Sequence, residues 1–279
     1  ATNIVKRLKE MKTLPNVAIR LTQMISDDAN SLLDFEEVIR LDPTLALRLL
    51  ENVNSPYYSL VTKVETIAEA VAFIGMDNLR NMIVVDILKN ILKNTEDKPN
   101  FSVNNLWLHS AAVGICCQMI CERIFEKKGE NAFLCGLIHD IGMIIENQIV
   151  PDLFIEACDL FALGKKQIDA CERDIIGTDH TKIGFQLARN WTLPLEVQEA
   201  ISFHHKKLDI GSETLAGIIK ISEYLVYRLD YMPLPNMVSH LTESLLNHMH
   251  DSIKEYKAIL LDLPDELEKA NEIFSLDQD

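Results

Sequence analysis

The stretch Phe133-Leu-Cys-Gly-Leu-Ile-His139-Asp140-Ile-Gly142 sets a histidine and an aspartate side by side in an otherwise apolar run. A run of that kind is bound for a core, where an imidazole and a carboxylate cost free energy unless each finds a partner. A metal ion is one such partner, because neutral imidazole and carboxylate both ligate first-row divalent cations. The fold must therefore carry partners to this pair. The candidates are His109 upstream and His180, His204, His205 and Glu223 downstream.

The patterning around the pair is helical. Ile4, Leu8 and Met11 recur at helical spacing over residues 3–13. Leu14-Pro15 opens a second helix through Val17, Leu21, Met24 and Ile25, proline being well placed in a first turn. A third helix is expected from Ser31 or Asp34, carrying Phe35, Val38, Ile39 and Leu41. Asp42-Pro43-Thr44 is a stop and restart, with Asp as cap and Pro in the first helical position. Leu45, Leu47, Leu49 and Leu50 make the next helix apolar on most sides, which predicts a central place for it. Thr66 opens a helix that stops at Gly75, and Met76-Asp77 starts another running to Leu92.

The polar, proline-containing stretch 94–100 is the best candidate for a boundary. A long helix from Asn104 or Asn105 then carries Trp107 and His109 as far as Lys127-Lys-Gly-Glu130. Shorter helices are expected around the His-Asp pair, at 151–164, 167–174, 183–191, 194–205 and 215–229, and two or three in the tail. No segment alternates like a strand, and ten glycines and nine prolines in 279 residues are few for a turn-rich β fold. The expected fold class is all-α. It divides into an N-terminal helical lobe over 1–97, a lobe holding the His-Asp pair over 98–230, and a helical extension over 231–279.

A formal net charge of −15 repels phosphate backbones and anionic lipid at long range, so neither nucleic acid nor a membrane surface is an expected partner. No apolar run reaches the roughly 18–20 residues that span a bilayer, and the first residues lack a signal-peptide core. Cys116, Cys117, Cys121, Cys135, Cys158 and Cys171 all lie in apolar, helix-patterned segments, as reduced core thiols of a cytoplasmic protein do. Cys116 and Cys117 diverge by about 100° on a helix, so a thiolate metal cluster is not expected. Tyr57, Tyr58 and Trp107 read as packing residues, and His240, His248 and His250 as solvated.

Three stretches carry a resemblance to a known family. The first is Asp42-Pro43-Thr-Leu45 with Asn52-x-Asn54-Ser55-Pro56 and Ile67-x-x-Ala70-x-x-x-Ile74-Gly75. The second is Trp107-x-His109-Ser110 followed by Gly136-Leu-Ile-His139-Asp140-Ile-Gly142. The third is Gly177-x-Asp179-His180-x-x-Ile-Gly184, then Trp191-x-Leu-Pro194 and His204-His205. With order and spacing kept over roughly residues 8–206, the chain resembles the HDOD family, divergent bacterial relatives of HD-domain phosphohydrolases.

The resemblance implies an HD-like C-terminal lobe with a helical N-terminal lobe packed on it. It also implies a signalling or regulatory output module, mostly non-catalytic, acting through protein partners. A nucleotide ligand and self-association are both compatible with it.

By the same resemblance, His109 matches the first histidine of HD enzymes, and His139 and Asp140 match the signature pair, with the aspartate able to bridge two ions. His180, His204 and His205 match the extra histidines of the HD-GYP phosphodiesterases. Glu223 stands where the superfamily has its closing aspartate, and Met143 stands where HD-GYP enzymes have a lysine. The Gly-Tyr-Pro stretch of those enzymes is absent.

The implied cofactor is one or two ions of iron, manganese, nickel or zinc, which nitrogen-rich ligation favours over magnesium or calcium. If any catalysis survives, Asp140 is its residue and a phosphodiester of a nucleotide or cyclic dinucleotide its substrate. An enzyme should show an open coordination position facing a cleft with basic residues. A binding module should show a blocked cleft and an apolar surface patch. A purely structural polar core is the third reading.

Overall fold

The computed structural model describes residues 16–25, 31–55, 60, 62–164, 166–206 and 208–274. The helix expected over 3–13, the Leu14-Pro15 start and the Tyr57-Tyr58 loop lie outside the described residues. The described chain is helical, and its only pairing of β type there is a single bridge between Lys98 and Phe101. No helix among the described residues is long and apolar enough to cross a membrane.

The first four helices are α1 (Asn16–Ile25), α2 (Leu32–Ile39), α3 (Pro43–Val53) and α4 (Ile67–Lys93). Ser31 caps α2 in a capping box with Asp34, and Asp42 caps α3 by accepting from the N–H groups of Thr44 and Leu45. Thr66 and Glu69 form a second capping box at the start of α4, the reciprocal arrangement that satisfies two orphan donors at once. Gly75 has φ 77° and ψ 169°, which breaks the ladder of α4 at the place where the sequence predicts one helix to stop and the next to begin.

Two expectations need correction. Leu41 is 66% exposed, because α2 ends at Ile39 and the chain turns outward into the next cap. α3 is not buried on most sides, since Leu45 and Leu49 face the core while Leu47 is 57% exposed. Asn54 pins the exit of α3: its amide donates to Leu50 O (2.7 Å) and Val64 O (2.8 Å), and it accepts from Val64 N (2.9 Å). α1, α2 and α3 all pack on α4.

The next elements are α5 (Val103–Arg123), α6 (Glu130–Ile138), α7 (Ile141–Ile149), α8 (Pro151–Ala162), α9 (Ile168–Ile175), α10 (His180–Asn190), α11 (Leu195–Phe203) and α12 (Leu215–Arg228). α5 is the central rod. Of residues 106–121 only Leu108 and Gln118 keep partial exposure, the mark of a helix surrounded by others. It packs against α6 and α12, and α4 reaches this group through α6. There Arg80 donates to Asn131, Asn81 donates to the carbonyl of Glu130, and Asn131 donates in turn to Glu196 at the start of α11.

The tail adds α13 (Glu243–Asp251) and α14 (Ile253–Phe274), the latter packed on α5 with Tyr256 fully buried. His248 is not solvated as expected. Its ring stacks on Phe125 at 5.3 Å and meets Tyr256 edge-on. All six cysteines are free and buried.

Candidate metal centre

Two close helix contacts bring the polar groups of the core together. A Cβ on Gly136 would stand 2.8 Å from Cα of Gly114, so α6 and α5 touch backbone to backbone, which carries His139 alongside His109. A Cβ on Gly142 would meet the carbonyl oxygen of His180 at 2.0 Å, so α7 crosses the first turn of α10 with no side chain between them. Asp179 caps α10 by accepting from the N–H of Lys182, which makes His180 the first helical residue and aims it inward. His139 and Asp140 form the joint between α6 and α7, and His204 and His205 follow the last turn of α11. Glu223 projects from the middle of α12.

All seven residues singled out in the sequence converge. Asp140 stands between two groups. On its Oδ2 side are His139 Nε2 (3.3 Å) and His109 Nε2 (3.6 Å), with Glu223 Oε1 3.8 Å from His139 Nε2. On its Oδ1 side are His204 Nε2 (3.3 Å) and His180 Nε2 (3.4 Å), with the His205 ring 4.2 Å from that of His204. In each set, His109–His139–Glu223 and Asp140–His180–His204–His205, the donor atoms lie within 4.8 Å of one another. Both oxygens of Asp140, and Nε2 of His180, His204 and His205, are buried with no hydrogen-bond partner in the protein. Buried polar atoms are normally paired, and a centre with this many unpaired acceptors could hold a cation.

The outer nitrogens settle which atom of each ring faces inward. His109 Nδ1 is 2.9 Å from Tyr231 O, His139 Nδ1 2.7 Å from Gly136 O, and His204 Nδ1 2.7 Å from Ile201 O. A carbonyl only accepts, so each Nδ1 carries the proton and donates it. His180 Nδ1 likewise donates to Glu172 Oε2 at 2.6 Å. The inward Nε2 of each neutral ring is then a bare lone pair. His109 Nε2 and His139 Nε2 stand 3.3 Å apart, a separation that two lone pairs tolerate only with a proton or a cation between or beside them.

Electrostatics agrees with a shared cation. Burial, helped by charge on His139, brings His109 down to about 4, and burial also brings His204 down to about 4 and His205 well below the imidazole range. Those rings are neutral and ready to ligate. Burial opposes charge on His180 too, but Glu172 and Asp140 outweigh it and raise the ring to about 10; Asp140 does the same for His139. Burial would lift Asp140, yet the surrounding histidines hold it well below the carboxylate range. Glu223 is pushed up to about 7 by burial. Glu172 and Asp140 thus favour the charged form of His180, and Asp140 that of His139, and a metal ion that ligates such rings displaces their protons. The donor set of nitrogen and carboxylate oxygen fits a borderline transition ion.

The two sets differ in access. His109, His139 and Glu223 are all buried, whereas His205 lines a cleft of about 1080 Å³ whose rim includes Lys166, Arg173, Lys182 and Lys206. Met143 is fully buried and presents no cation to the centre. Three groups of the centre were not singled out from the sequence. The Tyr231 carbonyl behind His109 is a backbone atom without a sequence signal. Glu172 is hidden in the polar run 172–174, and Glu146 is the lone acid in the apolar face of α7 and could have been flagged on that ground.

Comparison with known proteins places these observations. The family model described as HDOD domain matches residues 11–207. A Treponema pallidum (strain Nichols) protein, described only as uncharacterized, is 26% identical over 208 residues, covering 74% of this chain and 39% of its own length. The chain thus spans about two fifths of that relative. Among solved structures, a Marinobacter aquaeolei VT8 protein, provisionally titled a signal transduction protein, aligns with a TM-score of 0.73 at 20% identity, covering 94% of this chain and 59% of that one. A Shewanella amazonensis SB2B protein, provisionally titled a phosphohydrolase, aligns with a TM-score of 0.67 at 20% identity, covering 98% and 96%. At such identities the likeness is one of fold.

Proposed function

The chain belongs to the HDOD domain family, and from that premise we propose that it is a metal-loaded signalling module of a bacterial cytoplasm. His109, His139 and Glu223 would hold one divalent transition ion, His180, His204 and His205 a second, and Asp140 would bridge them. Iron, manganese, nickel and zinc all suit this donor set. The observation that carries the reading is Asp140, buried to 1% exposure with both oxygens unpaired and histidine nitrogens on either side. Six of the seven candidate ligands are sealed from solvent, which suits an ion that holds a surface in shape for a protein partner.

A second reading has its own observation in favour. The cleft at His205 is open and has lysines and an arginine on its rim, the setting in which a phosphodiester could approach. Ions held here would supply Lewis acidity toward a phosphoryl oxygen. The chain would contribute Asp140 as the shared carboxylate and the rim cations as the anchor for the ester's charge. Against turnover stands Met143, buried where related hydrolases carry a cation.

Elemental analysis of untagged protein, wild type against Asp140→Asn, tests the first reading. Two equivalents of a transition metal, lost in a variant that stays folded, are the expected result. Absence of metal from wild type overturns it. Hydrolysis of bis(p-nitrophenyl) phosphate by the metal-loaded wild type, and not by Asp140→Asn, would move the assignment to the second reading.

A further inference from the structure

Behind His180 lies a second buried acidic layer. Glu172 Oε2 accepts from both the ring Nδ1 of His180 (2.6 Å) and its backbone N–H (2.9 Å), so one oxygen fixes ring and main chain together. Its other oxygen, Oε1, has no donor, and neither oxygen of Glu146 has one. Glu172 and Glu146 are 0% and 1% exposed. They interact directly, α7 bringing one and α9 the other. The adjacent cation is engaged elsewhere, since Arg173 donates to Asp169 and Asp179.

Two buried carboxylates facing each other with no cation between them repel strongly. A single proton resolves the arrangement. Burial and the neighbouring Glu172 both favour the neutral acid at Glu146. The Glu172 carboxyl group is aimed at His180 Nδ1. The rings of His109, His139 and His204 have neutral carbonyls behind them instead. A carboxylate behind a ligating imidazole fixes its tautomer and raises the donor strength of the opposite nitrogen. Of these four rings His180 alone has that support, and it belongs to the open half of the centre.

We infer that Glu172, whose one oxygen holds both the ring and the main chain of His180, is the positioning residue for His180 and sets the affinity of the open half of the metal centre without affecting the sealed half. The inference rests on the two-ion reading given above. It separates from a merely structural role because a general loss of stability would weaken both halves, whereas loss of this support weakens one.

The test is zinc(II) titration of the metal-stripped full chain by calorimetry, with elemental analysis of the loaded protein and circular dichroism to confirm folding. Wild type should take up two equivalents. Glu172→Gln should keep one at unchanged affinity and bind the other about 10–100-fold more weakly. Glu146→Gln should match wild type, because the amide keeps the side chain's shape and brings N–H donors to a layer whose oxygens lack them. If Glu172→Gln does not fold, Glu172→Asp, which keeps the charge but shortens its reach, should show the same one-sided loss. Wild type that binds fewer than two equivalents overturns the two-ion reading and this inference with it. Two equivalents in wild type, with Glu172→Gln or Glu172→Asp either unchanged or weakened equally at both, overturns the inference alone.

Discussion

Gly142→Ala should cost both stability and the open half of the metal centre. A Cβ at this position would stand 2.0 Å from the carbonyl oxygen of His180 and 2.6 Å from its carbonyl carbon and Cα. Real Cβ contacts lie above 3.0 Å, so the backbones of α7 and α10 must part by about 1 Å. The obstacle is main chain, and no flexible side chain can yield in its place. His180 Nε2 sits 3.4 Å from Asp140 Oδ1, and a retreat of that size takes it out of reach of any ion shared with His204. Overpacking of a rigid core contact costs about 1–3 kcal/mol, occasionally more. With only backbone to displace, the upper end applies. About 3 kcal/mol corresponds to roughly 6–12 °C in melting temperature for a domain of this size. Urea and thermal unfolding of metal-stripped protein measure the first effect, and zinc stoichiometry the second. Gly211→Ala is the control, since its Cβ would meet only Thr214 Cγ2 at an ordinary 3.8 Å. A Gly142→Ala protein within about 0.5 kcal/mol of wild type, holding two zinc equivalents, would refute the close-contact reasoning; a shift that small is typical of neutral surface changes.

Two further outcomes follow from the core. Burial pushes the Cys116 thiol up to about 12 and raises those of Cys117 and Cys135 well above the ordinary thiol range. These groups are neutral in the fold and ionise near their ordinary value once unfolded. Their stabilising contribution is therefore full below about pH 8.5 and shrinks as pH rises toward the folded value, by about 1.4 kcal/mol per pH unit for each thiol. Urea midpoints under reducing conditions should fall between pH 8.5 and 10.5, less so in Cys116→Ala; thiols that react with Ellman's reagent in the native state at pH 8 would contradict this. Asn54→Ala removes three hydrogen bonds at the exit of α3, each worth about 1 kcal/mol net. A loss of about 2–3 kcal/mol in urea unfolding is expected, and no measurable loss would show that solvent replaces them.

The helical pattern and most caps were legible because their signals are local: Asp42-Pro43, Thr66, and the break at Gly75 each declare themselves within a few residues. The exposure of Leu47 was not, because spacing says which residues are apolar and not which neighbour is missing. His139 and Asp140 stood out as polar residues in an apolar run, and the family resemblance supplied the rest of the set. Neither source revealed the supporting layer. Glu172 lies among other charged residues, and only tertiary packing distinguishes it from a solvated acid. His248 was misread for the converse reason, since its partner Phe125 lies more than a hundred residues upstream.

The seven candidate ligands are drawn from residues 109 to 223, and none comes from α1–α4. A ligand that binds only the folded form stabilises it by mass action, about 2.7 kcal/mol at a hundredfold excess over its dissociation constant. That gain falls on the helices that must be in place for the centre to exist, α5 to α12, and bypasses the rest. Metal supply would thus act on cooperativity as well as on stability. With the centre loaded as proposed, the N-terminal helices would be the part expected to open first in denaturant.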